Sequence, residues 1–600
     1  MSLEAPVPST LPFVQRTRIA YLTMEIGIRP EMHTYSGGLG ILAGDVARSA
    51  ADLGLPMVFV TLASRDGYLR QELDGQGRQV DHADPWDPAE WATPLGALAS
   101  IELEGRPVLI QAWLHEIASP AGGRVPVLLL DTEVEGNDHR DRSIASRLYG
   151  GGEAERLKQE AVLGLGGHRV LDALGFRIDT FHLNEGHAAF LPLALLLERP
   201  AGEGTAEGRL RDVEAVRQRC VFTTHTPVEA GHDRFDYADV ERILGPLAPP
   251  ELLKPLAGPD KLNMTHLALS LSRFVNGVAR KHGEVARALY PGFRVRSITN
   301  GVHLGQWAHP AIARLLDGLV PGWQQEPELL LRADRLDPGA LWAAHGEAKA
   351  ELVAAVEART GRRLDPDRPI LGFARRMTGY KRPDLLFSDL DRLRAIAERW
   401  PFQVVMAGKA HPKDAAGKEG IREVARHART LGDSVPVAFV PGYDMALAAH
   451  LVGGSDVWLN NPVPPLEASG TSGMKAALNG VLNLSILDGW WIEGWEEGIT
   501  GWAVDEPGPP GLAEPAGALP DEARPDESGE GFLPLAAPED GGADPHARLL
   551  CDKLERAVLP LWHDDREGWT RMMRQSIARI GPVFNSHHMM RRYASEAYLG

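Results

Sequence analysis

Short apolar runs recur along the chain and alternate with longer stretches that carry a helical period. A run of about 4–8 apolar residues between turn signals is typical of a strand buried in a parallel sheet. The candidate strands form two sets, which are 18–24, 57–63, 125–131, 180–184 and 220–225, and then 370–376, 402–408, 437–443, 455–461 and 481–487. Helical patterns lie between them, for example at 44–54, 156–175 and 341–361. This alternation predicts an α/β fold.

Two sets of strands predict two doubly wound, Rossmann-like domains that face a central cleft, because 600 residues are too many for one hydrophobic core. We predict an N-terminal domain at 1–310, a C-terminal domain at 311–585 and a final helix at 586–600. The segment 505–545 is rich in Pro, Gly, Asp and Glu and has almost no period. We therefore expect a flexible insertion there and assign it no chemistry.

The charge balance excludes two classes of partner. The chain has 63 Lys and Arg against 81 Asp and Glu, a formal net charge of -18. Such a field repels nucleic acid and anionic membranes, so any anion site must be built locally. The two cysteines, Cys220 and Cys551, argue against a disulfide framework and suit a reducing cytosol. The sequence offers no bilayer-spanning apolar stretch and no signal peptide, so we expect a cytoplasmic protein.

A glycine turn opens a predicted helix in "YSGGLGILAGDVARSA" (35–50). The free amides and partial positive charge of a helix N-terminus favour an anion, and glycine lets the backbone approach it closely. Gly38-x-Gly40-x-x-Ala43 also fits the dinucleotide fingerprint, although about ten residues separate it from the nearest candidate strand. An anion site and a plain turn that starts a helix are both compatible with this stretch.

A single lysine follows a loop of glycines and hydroxyls in "EASGTSGMKAALNG" (467–480). Lys475 lies in the first turn of a short helical pattern that Gly480 can end. Lysine is disfavoured at the positive end of a helix, and the apolar residues that follow predict burial. A buried lysine without a carboxylate neighbour has a lowered pKa, the condition for an amine that forms a Schiff base. An exposed surface lysine is the alternative.

A basic cluster follows the strand at 370–376. "FARRMTGYKRPDLLF" (373–387) places four cations within eight residues and no acid among them, namely Arg375, Arg376, Lys381 and Arg382. Its position at the carboxyl end of a strand is where α/β proteins bind ligands. The stretch predicts an anion site, with a solvated basic helix as the alternative.

Taken in order, these stretches resemble the α-glucan (glycogen/starch) phosphorylase family, in particular a short bacterial-type member. "EASGTSGMKAALNG" is similar to the family's pyridoxal 5'-phosphate (PLP) lysine motif, "RRMTGYKRPDLL" to its phosphate-site motif and "GGLGILAGD" to its N-terminal glycine loop. Further matches are "RLKQE" (156–160), "HLNEGHAAF" (182–190), "FTTHTPVEAG" (222–231), "VNGVARKHGE" (275–284) and "ITNGVHLGQW" (298–307). The resemblance covers most of the chain and implies a GT-B-type fold.

The resemblance also implies an activity. Members of the family cleave terminal α-1,4-glucosyl units of glycogen, starch or maltodextrin with inorganic phosphate, reversibly and with retention, and release α-glucose 1-phosphate. Lys475 would hold PLP, whose phosphate would exchange a proton with the substrate phosphate near its second pKa of about 6. A homodimer is a candidate assembly. The chain reaches the glycine loop by residue 37, so we expect none of the family's N-terminal regulatory region.

By the same resemblance, Arg376, Lys381 and the Gly38 amide would bind inorganic phosphate, and two glycine-lined helix N-termini would help to offset two phosphate charges. With Lys475 and His225 these two cations form the predicted catalytic set. Predicted cofactor contacts are Thr471, Gly473, Tyr443 and Gly37. Predicted contacts to the glucosyl unit are His225, Asn300, Glu467, Ser469, Gly470 and Leu39, with Asn184, Glu185 and His187 as supports of the cleft.

Several alternatives stay open. His225 fits a core histidine as well, and Asn300-Gly301 fits a plain turn. Ser472-Gly473 stands where many family members have Gly-Asn, a change that an amide at the same place would tolerate. The whole pattern is also compatible with a GT-B glycosyltransferase that uses a nucleotide sugar, which leaves Lys475 without a cofactor, or with a glucan-binding protein that has lost catalysis.

No metal site is predicted. The histidines at 182, 187, 225, 232 and 303 lack the spacing of HExxH, and no pair of carboxylates stands out as the acid and nucleophile of a glycosidase. Asp389-x-Asp391 lies in a helical stretch, and we expect it on a solvated helix face.

Overall fold

The computed structural model describes residues 11–198, 206–228, 231–505 and 544–599. The strands are β1 (Ile19–Thr23), β2 (Met57–Leu62), β3 (Arg70–Leu73), β4 (Gln79–His82), β5 (Thr93–Leu103), β6 (Arg106–Ala118), β7 (Arg124–Asp131), β8 (Thr180–Asn184), β9 (Cys220–Thr223), β10 (Arg234–Asp236), β11 (Lys261–Asn263), β12 (Phe274–Gly277), β13 (Val295–Ser297), β14 (Ile370–Ala374), β15 (Gln403–Ala407), β16 (Val437–Val440), β17 (Val457–Asn460), β18 (Leu482–Ser485) and β19 (Gly501–Ala503).

The α-helices are α1 (Leu11–Arg16), α2 (Gly38–Asp52), α3 (His139–Arg142), α4 (Glu153–Ala161), α5 (Gly167–Ala173), α6 (Phe190–Leu197), α7 (Ala206–Arg217), α8 (Tyr237–Leu244), α9 (Pro250–Ala257), α10 (Met264–Ser270), α11 (Arg280–Leu289), α12 (Leu304–Trp307), α13 (Pro310–Leu319), α14 (Pro338–Thr360), α15 (Leu390–Arg399), α16 (Ala415–Leu431), α17 (Met445–Gly454), α18 (Ser472–Leu478), α19 (Trp491–Gly494), α20 (Pro545–Lys553), α21 (Leu559–Asp564), α22 (Arg566–Ile580) and α23 (Ser586–Arg592). A π-helical segment, Val162–Gly166, joins α4 to α5, so the helix predicted at 156–175 is continuous across these elements. The predicted insertion at 505–545 lies, apart from its ends, outside the described residues.

The first sheet has nine strands in the order β13-β12-β9-β8-β1-β2-β7-β6-β5. Its strands from β13 to β7 run parallel, and β5, β6 and β7 pair antiparallel. All five strands predicted for this half are confirmed. The long β5–β6 hairpin was missed because its apolar residues alternate with polar ones instead of forming a continuous run.

The second sheet has six parallel strands in the order β16-β15-β14-β17-β18-β19. All five strands predicted for this half are confirmed, and each is buried along its whole length. Strands buried on both faces read as continuous apolar runs, which is why the prediction succeeded here. Two wound sheets with helices between their strands confirm the α/β, GT-B-type architecture.

The hydrophobic cores follow the sheets. One core surrounds the second sheet and is formed by residues between Val302 and Phe584. Alternate residues of the first-sheet strands point to two further cores, such as Ala20 and Leu22 on one face and Tyr21 on the other. The C-terminal helix α23 packs on the face that carries Tyr21, where Met589 lies in the same core as residues of α2. Among the described residues no helix is both long and apolar enough to cross a membrane.

Candidate functional site

Each sheet has one central strand from which later strands are added on both sides. These strands are β1 and β14, and their carboxyl ends face each other. In the first sheet β1 is followed along the chain by β2 on one side and has β8 on the other, and in the second sheet β14 lies between β15 and β17. Ligands of open α/β sheets bind at the carboxyl ends of strands at such points. A Cβ added to Gly37, after β1, would lie 4.0 Å from Nη2 of Arg376, after β14. The two predicted phosphate-binding segments are therefore neighbours.

Lys475 is buried between the two sheets. The residue is 6% exposed, and its Nζ lies 3.6 Å from the centre of the Trp307 ring. The Nε1 of Trp307 donates to both carboxylate oxygens of Asp45, at 3.0 and 2.8 Å. Burial lowers the pKa of Lys475 to about 8. The lysine therefore has the properties that a covalent aldehyde cofactor needs, a sheltered amine that is readily neutral.

The residues before Lys475 form the start of α18, as predicted, and Gly480 ends it in a left-handed conformation with φ +76°. Thr471 is the N-cap residue of this helix. Ser472 Oγ accepts a hydrogen bond of 3.1 Å from the Nε1 of Trp458. A Cβ on Gly473 would lie only 2.4 Å from Oδ1 of Asn483 and 2.8 Å from Trp490, so glycine fits this position.

Glu467 joins the basic cluster to the loop before α18. Its Oε2 accepts from Nη2 of Arg375 and from Nζ of Lys381, both at 2.6 Å. Burial alone would raise the pKa of Glu467, but the two cations outweigh it and hold the pKa at about 2. Lys381, predicted to bind phosphate, is thus held by a carboxylate that was predicted to contact sugar.

A second carboxyl group supports Glu467. The backbone N–H of Glu467 donates to Oδ2 of Asp488 at 2.9 Å, and the N–H of Gly489 donates to Oδ1 at 2.8 Å. Burial raises the pKa of Asp488 to about 7, and the nearby charge of Glu467 acts in the same direction. Asp488 therefore positions the loop that carries Glu467 and Ser469. No local pattern around Asp488 indicates this role.

The glycine loop is fixed by Glu25, which follows β1. Its Oε2 accepts from the N–H groups of Ser36 and Gly37, at 2.6 and 3.2 Å, and its Oε1 accepts from the hydroxyl of Tyr149 at 3.0 Å. The amide of Gly37, predicted to contact the cofactor, is therefore used within the protein. At the start of α2 a Cβ on Gly38 would meet nothing within 4 Å, so a ligand can approach this backbone closely.

His225 is held by the last residue of β8, Asn184, and by the residue that follows it, Glu185. Its Nε2 lies 2.6 Å from Oδ1 of Asn184, and its backbone N–H donates to Oε2 of Glu185 at 2.7 Å. Burial lowers the pKa of His225 to about 4, so the ring is neutral near pH 7. His187 instead pairs with Asp233 at 3.3 Å. Asn184 and Glu185 therefore position His225, whereas the support of the cleft by these residues and His187 stays a prediction.

Several buried polar atoms near these residues have no hydrogen-bond partner within the described part of the chain, among them Ser469 Oγ, Asn300 Oδ1, Arg375 Nη1 and Thr378 Oγ1. Three of these residues come from the second-sheet loops, and Asn300 comes from the chain that leaves the first sheet. An unpaired buried polar atom is unfavourable, and a polar ligand would satisfy such atoms.

The other predicted contacts lie on the same loops. Gly470 adopts φ +78°, and a Cβ there would lie 3.4 Å from Glu467 Cδ. Burial raises the pKa of Tyr443, which follows β16. Leu39 is the second residue of α2. Trp307 and Asp45 were not predicted as site residues, because the contacts from Lys475 to Trp307 and from Trp307 to Asp45 join segments far apart in the sequence.

The five histidines considered as metal ligands lie in separate contacts, for example His303 on Asp52 at 2.7 Å and His232 beside Tyr290. In the described ranges, the group whose donor atoms are close enough to surround a metal ion is His168, Asp172 and Glu198, and it contains none of the five. Asp389 caps α15, and Asp391 is exposed on that helix, as expected.

Comparisons with known proteins agree with this arrangement. Residues 253–498 match the family model described as carbohydrate phosphorylase. The chain is 38% identical to the maltodextrin phosphorylase of Thermococcus litoralis, over 97% of this chain and 70% of that protein. It is 38% identical to the glycogen phosphorylase of Mycobacterium tuberculosis, over 97% of this chain and 71% of that one. The glycogen phosphorylase of Aquifex aeolicus is 34% identical, over 97% of this chain and 86% of its own length.

Proposed function

The chain belongs to the carbohydrate phosphorylase family, and from that membership we propose that it cleaves the terminal α-1,4-glucosyl unit of a glucan with inorganic phosphate. The bond between C1 and the glycosidic oxygen breaks, a bond forms between C1 and a phosphate oxygen, and the departing glucan oxygen takes the proton that the inorganic phosphate brings. The products are α-glucose 1-phosphate, with retention, and a shortened glucan. The observation that carries this proposal is the sheltered Lys475 beside two loops suited to anions.

The residues present fit PLP as the cofactor. Lys475 would hold it, with Thr471, Gly473 and Tyr443 around it and Gly37 on the opposite loop. When bound, PLP supplies a phosphate group that donates and accepts a proton. The lowered pKa of Lys475 keeps a fraction of its amine neutral for attachment near pH 7. Trp307 covers this amine and excludes water from it.

The cations of the second sheet would bind the substrate phosphate. Arg376 lies opposite Gly37, and the Gly38 amide at the start of α2 adds a donor. Glu467 keeps Arg375 and Lys381 together at the strand ends, so their charges are already in position when an anion arrives. Fixed charges in a closed site stabilise an anion more strongly than the same charges in water.

The glucosyl unit would lie between these groups and the first sheet. Ser469 and Asn300 offer buried polar atoms to sugar hydroxyls. The neutral His225 donates or accepts without placing a charge beside the two phosphates. Glu467, Gly470 and Leu39 complete the proposed contacts. Glycogen or maltodextrin is the proposed glucan class, and we propose a cytoplasmic enzyme that forms a homodimer, with domains at 1–310 and 311–585.

An assay of purified protein with maltodextrin tests this function. We expect glucose 1-phosphate that appears only when inorganic phosphate is present, and α-configured product by nuclear magnetic resonance. Product formed from a nucleotide sugar but not from phosphate would instead support the glycosyltransferase alternative. Binding of maltodextrin without either reaction would support a glucan-binding protein.

A further inference from the structure

The hairpin β3–β4 links the two halves of the molecule through two buried glutamines. The hairpin belongs to the part of the chain that forms the first sheet, but Gln71 and Gln79 contact loops of the second sheet. The two residues are 2% and 8% exposed. A primary amide can replace a backbone peptide group, because it carries one acceptor and two donors.

Gln71 bridges two loops. Its Nε2 donates to the carbonyl oxygen of Gly408 at 2.7 Å, in the loop after β15. Its Oε1 accepts from the N–H of Gly442 at 3.1 Å, in the loop after β16. The same Nε2 also donates to Oε1 of Gln79 at 2.8 Å, so the two side chains form one hydrogen-bonded unit.

The side-chain amide of Gln79 both accepts from and donates to the backbone of Ala410. Its Oε1 accepts from the N–H of Ala410 at 3.0 Å, and its Nε2 donates to the carbonyl oxygen of Ala410 at 2.9 Å. The contact therefore satisfies both backbone groups of a buried residue. Asp81, further along β4, accepts from Nε2 of Gln79 at 2.7 Å and from Nζ of Lys418 at 2.6 Å, which holds the hairpin to α16.

The loop that these glutamines hold is in direct contact with the basic cluster. The N–H of Met377 donates to the carbonyl oxygen of Lys409 at 3.0 Å. A Cβ on Gly408 would lie 2.0 Å from the carbonyl oxygen of Arg375, so the two segments touch through their backbones. Any shift of 408–410 therefore shifts Arg375 and Arg376. Gly442 in turn precedes Tyr443, so the second loop is linked to the proposed cofactor site.

We propose that Gln71 and Gln79 are positioning residues for phosphorolysis, which fix the second-sheet cations at the correct separation from the glycine loop. This inference rests on the proposed function. Removal of either side chain leaves buried backbone groups of Gly408, Ala410 or Gly442 unpaired, and the loop moves to reach water. The side-chain amides of both glutamines are used in hydrogen bonds within the protein, so their effect on the reaction passes through the position of Arg376.

The test uses Gln71→Ala and Gln79→Ala, with Gln76→Ala as the matched control, because Gln76 lies on the same hairpin with an exposed side chain. We expect the KM for phosphate to rise roughly tenfold in the first two variants. The KM for maltodextrin should change by less than about twofold, and the control should match the parent protein. Gln71→Glu and Gln79→Glu provide second variants of the same size if the alanine variants fold poorly.

Hydrogen exchange separates this inference from the proposed function, because it needs no activity. Exchange at the amides of Ala410 and Gly442 should be faster in the two variants than in the Gln76→Ala control. Slow exchange at both amides, or an unchanged phosphate KM in a folded variant, would overturn the positioning role. A parent protein without phosphorolysis, but with the predicted exchange pattern in the variants, would refute the proposed function and leave the two glutamines as a structural link between the loops.

Discussion

The ammonium group of Lys475 lies on the face of the Trp307 ring, at 3.6 Å from its centre. The indole N–H of Trp307 in turn binds Asp45, in the helix that starts at the glycine loop. The lysine is thus linked to α2 through the Trp307 ring, and the Asp45 carboxylate is hydrogen-bonded to the indole N–H of that ring. Burial is the largest effect on the amine and lowers its pKa, and the charge of Asp45 and the aromatic face offset this only in part.

The rate at which PLP attaches to the cofactor-free protein should rise with pH and level off near the pKa of Lys475. Burial lowers the pKa of Lys475 from its ordinary value to about 8, and the neutral amine is the form that reacts. The attachment rate should rise about tenfold per pH unit below pH 8 and level off above it. Absorbance after rapid mixing measures this rate. A rate that continues to rise to pH 10 would show an ordinary exposed lysine.

Cofactor-free protein should also become more stable as pH rises from about 8 towards the ordinary pKa of lysine. Over this range the unfolded chain binds a proton at Lys475 that the folded chain does not, so the free energy of unfolding increases with pH. Urea unfolding at several pH values measures it. The difference between the parent protein and Lys475→Met should change over this range, and a constant difference would contradict the lowered pKa.

Glu25→Gln should weaken phosphate binding through the glycine loop. The side-chain amide cannot accept all the hydrogen bonds that the carboxylate receives from Ser36, Gly37 and Tyr149, so the loop loses part of its support. We expect the KM for phosphate to increase by a factor of about 10. Initial-rate kinetics check this, and Glu31→Gln is the control because Glu31 is exposed. An equal KM for phosphate in the two variants would contradict the role of Glu25 in supporting the glycine loop.

Glu467→Gln should destabilise the fold, because Arg375 and Lys381 would lose the carboxylate that neutralises them. The loss of one partner from a buried ion pair is expected to lower the free energy of unfolding by about 3 kcal/mol at pH 7. Since the folded pKa of Glu467 is about 2, the stabilisation is present above the ordinary pKa of Glu and is lost as pH falls towards 2. The difference between variant and parent in urea should persist at pH 5. A loss that disappears between pH 7 and pH 5 would be inconsistent with this ion pair.

Gly473→Ala should cost about 1–3 kcal/mol of stability, because its methyl group would overlap Asn483 and Trp490. Gly346→Ala is the matched control. Gly346 lies in α14, where a Cβ meets nothing within 4 Å, so this change should be neutral or add up to about 1 kcal/mol through helix propensity. Denaturant unfolding compares the two. If both substitutions are neutral, Gly473 is not closely packed.

The sequence predicted those parts of the structure that depend on local pattern. Every predicted strand exists, because buried parallel strands form continuous apolar runs. The burial of Lys475 was predicted because the residues after it are apolar and its helix ends at Gly480. The β5–β6 hairpin was missed because its residues alternate.

The supporting residues of the site could not be predicted in the same way. Glu25 contacts Tyr149, and Gln71 contacts Gly442, across separations of 124 and 371 residues. Such contacts follow from how the sheets pack and not from the pattern around either residue. The pairing of Lys381 with Glu467 was likewise not visible, although each residue was predicted for the site separately.

Borohydride reduction is the most direct test of whether Lys475 holds PLP. Purified protein loaded with PLP would be reduced, digested and mapped by mass spectrometry, with Lys475→Ala as the control. We expect a pyridoxyl group on the peptide that contains Lys475, and neither label nor phosphorolysis in the variant. Label on another lysine, or near-normal glucose 1-phosphate release by the variant, would contradict it.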